Sequence, residues 1–108
     1  MSLNRYAKNT DANHRTIVNA LRMFGCSVEP ITGSTGTPDL LVGCFGVDQL
    51  VEVKPLVGET RRRELRESQV EWHARWRGRK PVVLRTVADC EALVATLRGA
   101  LTRSEVAS

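Results

Sequence analysis

Cysteine is scarce and poorly arranged for cross-linking. Cys26, Cys44 and Cys90 are odd in number and widely spaced, with no CxxC pair and only two histidines in the chain. A disulfide framework and a structural zinc site are both excluded on that spacing. The expectation is three reduced thiols serving as small apolar residues in a cytoplasmic protein. No apolar run approaches the ~18 residues of a membrane span. The opening residues, Met1-Ser2-Leu3-Asn4-Arg5, lack the apolar stretch of a secretory leader. Repeats, low-complexity segments and a recognisable base-reading motif are absent as well.

What is present suits one globular domain. The chain has 108 residues, 42% hydrophobic and 26% charged, which excludes bulk disorder. The net charge of +4 is local in origin. Residues 61–80 carry eight basic residues against three acidic ones, a net +5, and the rest of the chain is −1. Local basicity of this kind suits a phosphate-binding surface, whereas evenly spread charge suits a solvated one.

Hydrophobic periodicity outlines the elements. A helix is expected from Thr10 or Asp11, with Ile17, Val18, Leu21 and Phe24 as its apolar stripe and Gly25 ending it. An edge strand over 26–31 follows, limited by Pro30. Strands over 40–42 and 49–54 flank a glycine-bearing hairpin connection. A basic loop over 56–65 leads to a helix over 66–77 and a strand over 81–85. A last helix from Thr86 or Val87 uses Cys90, Leu93, Val94 and Leu97, with Gly99 ending it. The pattern predicts one domain over 1–108 with a core of about 10–98 and loose ends at 1–9 and 100–108. The step from strand to helix to strand is a βαβ unit and requires a parallel crossover. The hairpin before it is antiparallel, so the fold class is α/β, a mixed central sheet flanked by helices.

One strand does not read as plain core. In Leu50-Val51-Glu52-Val53-Lys54, alternation places Leu50, Glu52 and Lys54 on one face. A carboxyl and an ammonium on a central strand must be paired, solvated in a cleft, or bound to something. Asp39 begins the neighbouring strand, and one hairpin register sets it beside Glu52. Two carboxylates so close repel unless a cation lies between them. A hard cation such as Mg²⁺ suits two carboxylates plus a carbonyl, here that of Val53. Lys54 would then orient a water or balance phosphate charge. On the following helix Gln69, Trp72, His73 and Trp76 share a face. That face is expected to pack on the sheet, with the tryptophans in the core, His73 in the core or at an interface, and Gln69 aimed into the cleft.

Gly36-Thr37-Pro38-Asp39, then Glu52-Val53-Lys54, then Leu65 with Gln69 and Trp72-His73 together resemble the VRR-NUC branch of the PD-(D/E)XK nuclease superfamily. The likeness spans about residues 10–97. It implies a restriction-endonuclease-like αβββαβ(α) core and phosphodiester hydrolysis dependent on Mg²⁺ or Mn²⁺. It implies Asp39, Glu52, Lys54 and Gln69 as the catalytic set, with Asp39, Glu52 and the Val53 carbonyl on the metal. It also implies branched, flapped or four-way-junction DNA as substrate. Many members carry a glutamate on the first helix; here Asn13 and His14 stand in that stretch as candidate contributors. The position before the Gln69 helix, often Ser or Thr, is Arg66. Phosphate contacts are expected from Arg61, Arg62, Arg63, Arg66 and Lys80. Symmetric cutting by so small a chain implies a homodimer. A larger phage or repair protein is a second expected partner, and no membrane is. The rival reading is an accessory DNA-binding subunit that keeps the fold without cutting.

Overall fold

From Ser2 to Met23 the chain has neither glycine nor proline, and nothing in it interrupts a helix. The computed structural model describes residues 2–55 and 65–107, with side chains over 12–55 and 65–100. In it α1 spans Ser2–Met23. The helix therefore begins well before Thr10, and residues 2–9 belong to it rather than to a frayed end. It closes at Gly25, whose φ is +94°. There the Cys26 N–H reaches the Leu21 carbonyl and the Gly25 N–H the Arg22 carbonyl, both at 3.0 Å. That pair of bonds is a Schellman cap, which needs the left-handed residue that glycine supplies. Phe24 falls outside the buried stripe and is 36% exposed.

Three antiparallel strands follow: β1 (Ser27–Pro30), β2 (Leu40–Cys44) and β3 (Val47–Val53). The β2–β3 connection is two residues, Phe45 and Gly46, both at positive φ (55° and 75°). A turn of that kind matches the twist of the strands and locks their register. Leu40 therefore faces Val51, and Val42 faces Gln49. Next come α2 (Glu67–Arg75), β4 (Val82–Leu84) and α3 (Val87–Ala107). The crossover through α2 returns β4 parallel to β3, with Glu52 facing Val83. The result is an α/β domain with a four-stranded mixed sheet in the order β1-β2-β3-β4. Three helices accompany it among the described residues. None of them is long and apolar enough to cross a membrane.

α3 starts on a reciprocal cap. The Asp89 N–H donates to the Thr86 hydroxyl at 3.0 Å, and the Asp89 carboxylate accepts from the Thr86 N–H at 3.1 Å. The helix continues through Gly99 to Ala107, so neither the expected stop nor the expected loose tail is found. An interior glycine costs only ~1 kcal/mol against alanine, and its neighbours Leu97, Arg98, Ala100 and Leu101 are strong helix formers. α1 and α3 pack on each other and on one sheet face. Ile17, Leu21, Leu40, Val42, Val51, Cys90 and Leu97 are fully buried there. Each large aliphatic side chain so buried contributes ~1.5–3 kcal/mol. The three cysteines are free and buried in this core, as their spacing implied.

α2 departs from expectation. None of its residues is buried. Trp72 and Trp76 stack on each other at 4.8 Å, and Trp76 is 41% exposed. The sheet face on this side carries the ionisable pair Glu52 and Lys54 beside Leu50 and Val83, and neither tryptophan is buried against it. Polar and backbone contacts hold α2 in place. A Cβ on Gly36 (φ +93°) would overlap the backbone carbonyl of Ser68 in the first turn of α2. Gly36→Ala is expected to destabilise the protein by more than ~1 kcal/mol. Because Trp72 lies on α2 and Trp76 is its C-cap, the loss should appear in a fluorescence melt before it appears in far-ultraviolet ellipticity. Coincident, unshifted melts would contradict this close approach.

Candidate active site

The register of the β2–β3 hairpin assembles the site. One step beyond the Leu40–Val51 pair, Asp39 lies opposite Glu52. The Asp39 N–H donates to the Val51 carbonyl at 3.0 Å. Its carboxylate in turn accepts from the Val53 N–H at 2.8 Å. In an antiparallel ladder a residue's N–H and C=O point to the same side. The Val53 carbonyl therefore faces the Asp39 side as well. Glu52 on β3 and Lys54 just past its end, two residues apart, share the opposite face from Val51. They are 1% and 7% exposed.

Gln69 joins these groups. It occupies the third position of α2 and reaches back across the helix start. Its Oε1 accepts from Lys54 Nζ at 2.8 Å and from the Arg66 N–H at 2.8 Å. Its Nε2 donates to Glu52 Oε1 at 3.0 Å. The ammonium can only donate, which fixes which end of the amide faces it. One side chain thus caps α2 and holds Lys54 and Glu52 in a fixed relation. From α1, Asn13 donates to the Lys54 carbonyl at 2.9 Å. Asp39, Glu52, Val53, Lys54, Arg66, Gln69, Asn13 and His14 all line one pocket of about 220 Å³.

Burial and charge set the ionisation of the pair. Glu52 is pushed up to about 9, first by burial, then by the hydrogen bond and negative charge of Asp39; Lys54 and Arg66 offset this in part. Lys54 is lowered, chiefly by burial, with the Arg66 and Arg85 charges adding and Glu52 and Asp39 opposing. Without a cation the pocket therefore favours a neutral Glu52 beside Asp39. A divalent ion between two carboxyls and a carbonyl would reverse that preference, so the donor set fits one. The described residues contain no group of three or more His, Cys, Asp or Glu side chains suited to a metal. Any ion here would rest on two carboxylates, the carbonyl and water.

The other expected contacts divide. Arg66 is exposed and lines the pocket. Arg61, Arg62 and Arg63 lie outside the described residues. Lys80 is committed elsewhere. Its ammonium donates to the carbonyls of His73 (2.7 Å), Ala74 (3.0 Å) and Trp76 (2.6 Å). All three of its protons cap the carboxyl end of α2, which leaves none for phosphate. Lys80→Met is expected to cost ~1 kcal/mol and to fray α2 without changing the salt dependence of DNA binding. An altered salt slope would return Lys80 to the phosphate contacts. His73 is half-buried with its Nε2 unpartnered, and burial followed by the Lys54 and Lys80 charges lowers its pKa.

Three contacts had no clear sequence signal. Asn13 tying α1 to the end of β3 is one, and the Gly36–Ser68 approach is another. The third is Gln49, a buried amide donating to the Lys80 and Leu50 carbonyls at 2.9 Å. Its place among apolar neighbours on the core face of β3 was its only mark. Comparison with family models, curated proteins and solved structures returns no match for this chain.

Proposed function

We propose that the chain is a divalent-metal-dependent DNA endonuclease of the PD-(D/E)XK type, close to the VRR-NUC branch, with a restriction-endonuclease-like αβββαβ(α) core. The observation that carries this reading is the Gln69 amide bridging a buried Lys54 and a buried Glu52 that faces Asp39. Asp39, Glu52 and the Val53 carbonyl would hold Mg²⁺ or Mn²⁺. Such an ion, when bound, supplies charge neutralisation at a phosphate and a more acidic water. Lys54, held by Gln69, places its ammonium where negative charge grows on the scissile phosphate. In the hydrolysis a water oxygen–phosphorus bond forms and the bond to the leaving deoxyribose oxygen breaks. Gln69 keeps Lys54 and Glu52 at fixed spacing through that step, and Asn13 anchors the strand end beneath them. Arg66, with Arg61, Arg62 and Arg63, grips phosphates without reading bases.

Branched, flapped or four-way-junction DNA is the proposed substrate, cut by a homodimer or beside a larger phage or repair protein in the cytoplasm. A second reading has one observation behind it. Asn13 and His14 stand where many relatives place a carboxylate, and Asn13 is spent on the Lys54 carbonyl. That favours an accessory subunit that binds DNA without cutting. Labelled duplex, flap, splayed and four-way substrates incubated with varied Mg²⁺ and Mn²⁺ separate the two. Metal-dependent loss of a branched substrate supports the nuclease, and binding with every substrate intact supports the subunit. Replacing Arg61, Arg62 and Arg63 together by alanine should weaken binding to all sequences and flatten its salt dependence by about two to three counterions. An unchanged slope would remove this segment from the phosphate contacts.

A further inference from the structure

A second cavity adjoins the proposed active site. It is an open groove of about 380 Å³ between α1 and β1. Its size falls in the ~300–1,000 Å³ range of small-ligand pockets. Val18 and Pro30 supply the accessible apolar surface, with Val28 and Leu40 buried behind them, and Arg15, Asn19 and Arg22 supply polar groups. Arg22 is held in place, its Nη2 donating to the Val28 carbonyl at 3.2 Å. No acidic side chain among the described residues lines the groove. His14 lines both this groove and the pocket of Glu52 and Lys54, so the two adjoin at that side chain.

We propose that this groove seats an unpaired nucleobase of the same polynucleotide whose phosphate lies against Lys54. An apolar floor with a cationic rim is the complement of a base carried on a phosphodiester backbone. A paired base cannot enter, because its faces are stacked and its edge is occupied. The groove then gives this small domain a preference for strands with displaced bases, through fit and not through base-edge readout. The inference rests on the nucleic-acid reading above, although not on cleavage.

The test uses the full chain in metal-free buffer, where cutting does not intervene. The probes are a duplex with a single bulged 2-aminopurine and the same duplex fully paired. The bulged probe should bind about tenfold tighter, and its fluorescence should rise as the base leaves its stack for an aliphatic surface. Asn19→Trp fills the groove from an exposed helix position, and Arg15→Glu reverses charge at its rim. Each should bring the ratio of bulged to paired affinity close to one. Equal affinities in the unaltered protein, or no DNA binding at all, would overturn the proposal. So would a preference that survives both substitutions, or an Asn19→Trp protein that changes only its mass in solution. A base preference lost in both variants, in a protein that cuts nothing under any metal, would leave the groove assignment standing and remove the nuclease reading.

Discussion

Glu52→Gln is expected to abolish cleavage and, in metal-free buffer above pH 6, to raise the stability of the protein. The two effects have one cause. In the folded chain Glu52 rises from 4.5 to about 9, mainly through burial and then through Asp39. Between those values the folded state holds a proton that the unfolded state has released. The contribution of Glu52 to stability is therefore full below about 4.5 and is lost as pH rises through this window. Glutamine reproduces the neutral side chain. It accepts from Gln69 as Glu52 does and donates to Asp39, with no proton to lose. Each tenfold change in proton affinity between the two states is worth ~1.4 kcal/mol. The variant should therefore gain a few kcal/mol at pH 8, a rise in Tm on the order of 10 °C. The gain should shrink toward pH 5. Thermal melts of both proteins from pH 5 to 9, with chelator present, measure it. Parallel curves would show that Glu52 ionises freely and would contradict the burial argument. Metal binding should carry the opposite pH dependence in the unaltered protein, strengthening as pH rises, because a cation selects the ionised carboxyl.

Lys54→Met should reduce the cleavage rate by at least ~10²-fold while leaving most DNA affinity in place. Methionine approximates the length of the lysine stem and removes the charge. The ammonium is buried, bonded to Gln69 at 2.8 Å, and set two residues from Glu52 on the same face. Its loss removes the donor aimed at the phosphate and frees one position on Gln69 Oε1, which still accepts from the Arg66 N–H. α2 should therefore remain docked, and the tryptophan fluorescence of the variant should match that of the unaltered protein. Rates and affinities measured on one junction substrate separate chemistry from binding. A full cleavage rate in the variant would mean that the ammonium serves only to neutralise Glu52.

The site was more legible in the sequence than its surroundings. Alternation along β3 sets Glu52 and Lys54 on one face and the hairpin brings Asp39 opposite Glu52, although the strands run on to a two-residue turn at Phe45 and Gly46 where the glycines suggested a connection over 43–48. Helical periodicity places Gln69 on the face of α2 turned to the cleft. The same periodicity misleads for Trp72 and Trp76. It identifies a shared face but not whether that face is covered, and α2 buries none of its residues. Lys80 read as part of a basic stretch, yet its partners are carbonyls four to seven residues back, fixed by where α2 ends. Gly99 looked like a helix stop because glycine often is one. Its cost is small enough for strong helix formers on both sides to carry α3 past it.

The central claim is that Asp39, Glu52, Lys54 and Gln69 form a hydrolytic site that works with a divalent metal. Strand scission of a labelled four-way junction by the purified full chain tests it most directly, with Mg²⁺, with chelator, and with Glu52→Gln in Mg²⁺ alongside. The account predicts product in the first case alone. Product from the Glu52→Gln protein, or intact junction in every case, would contradict it.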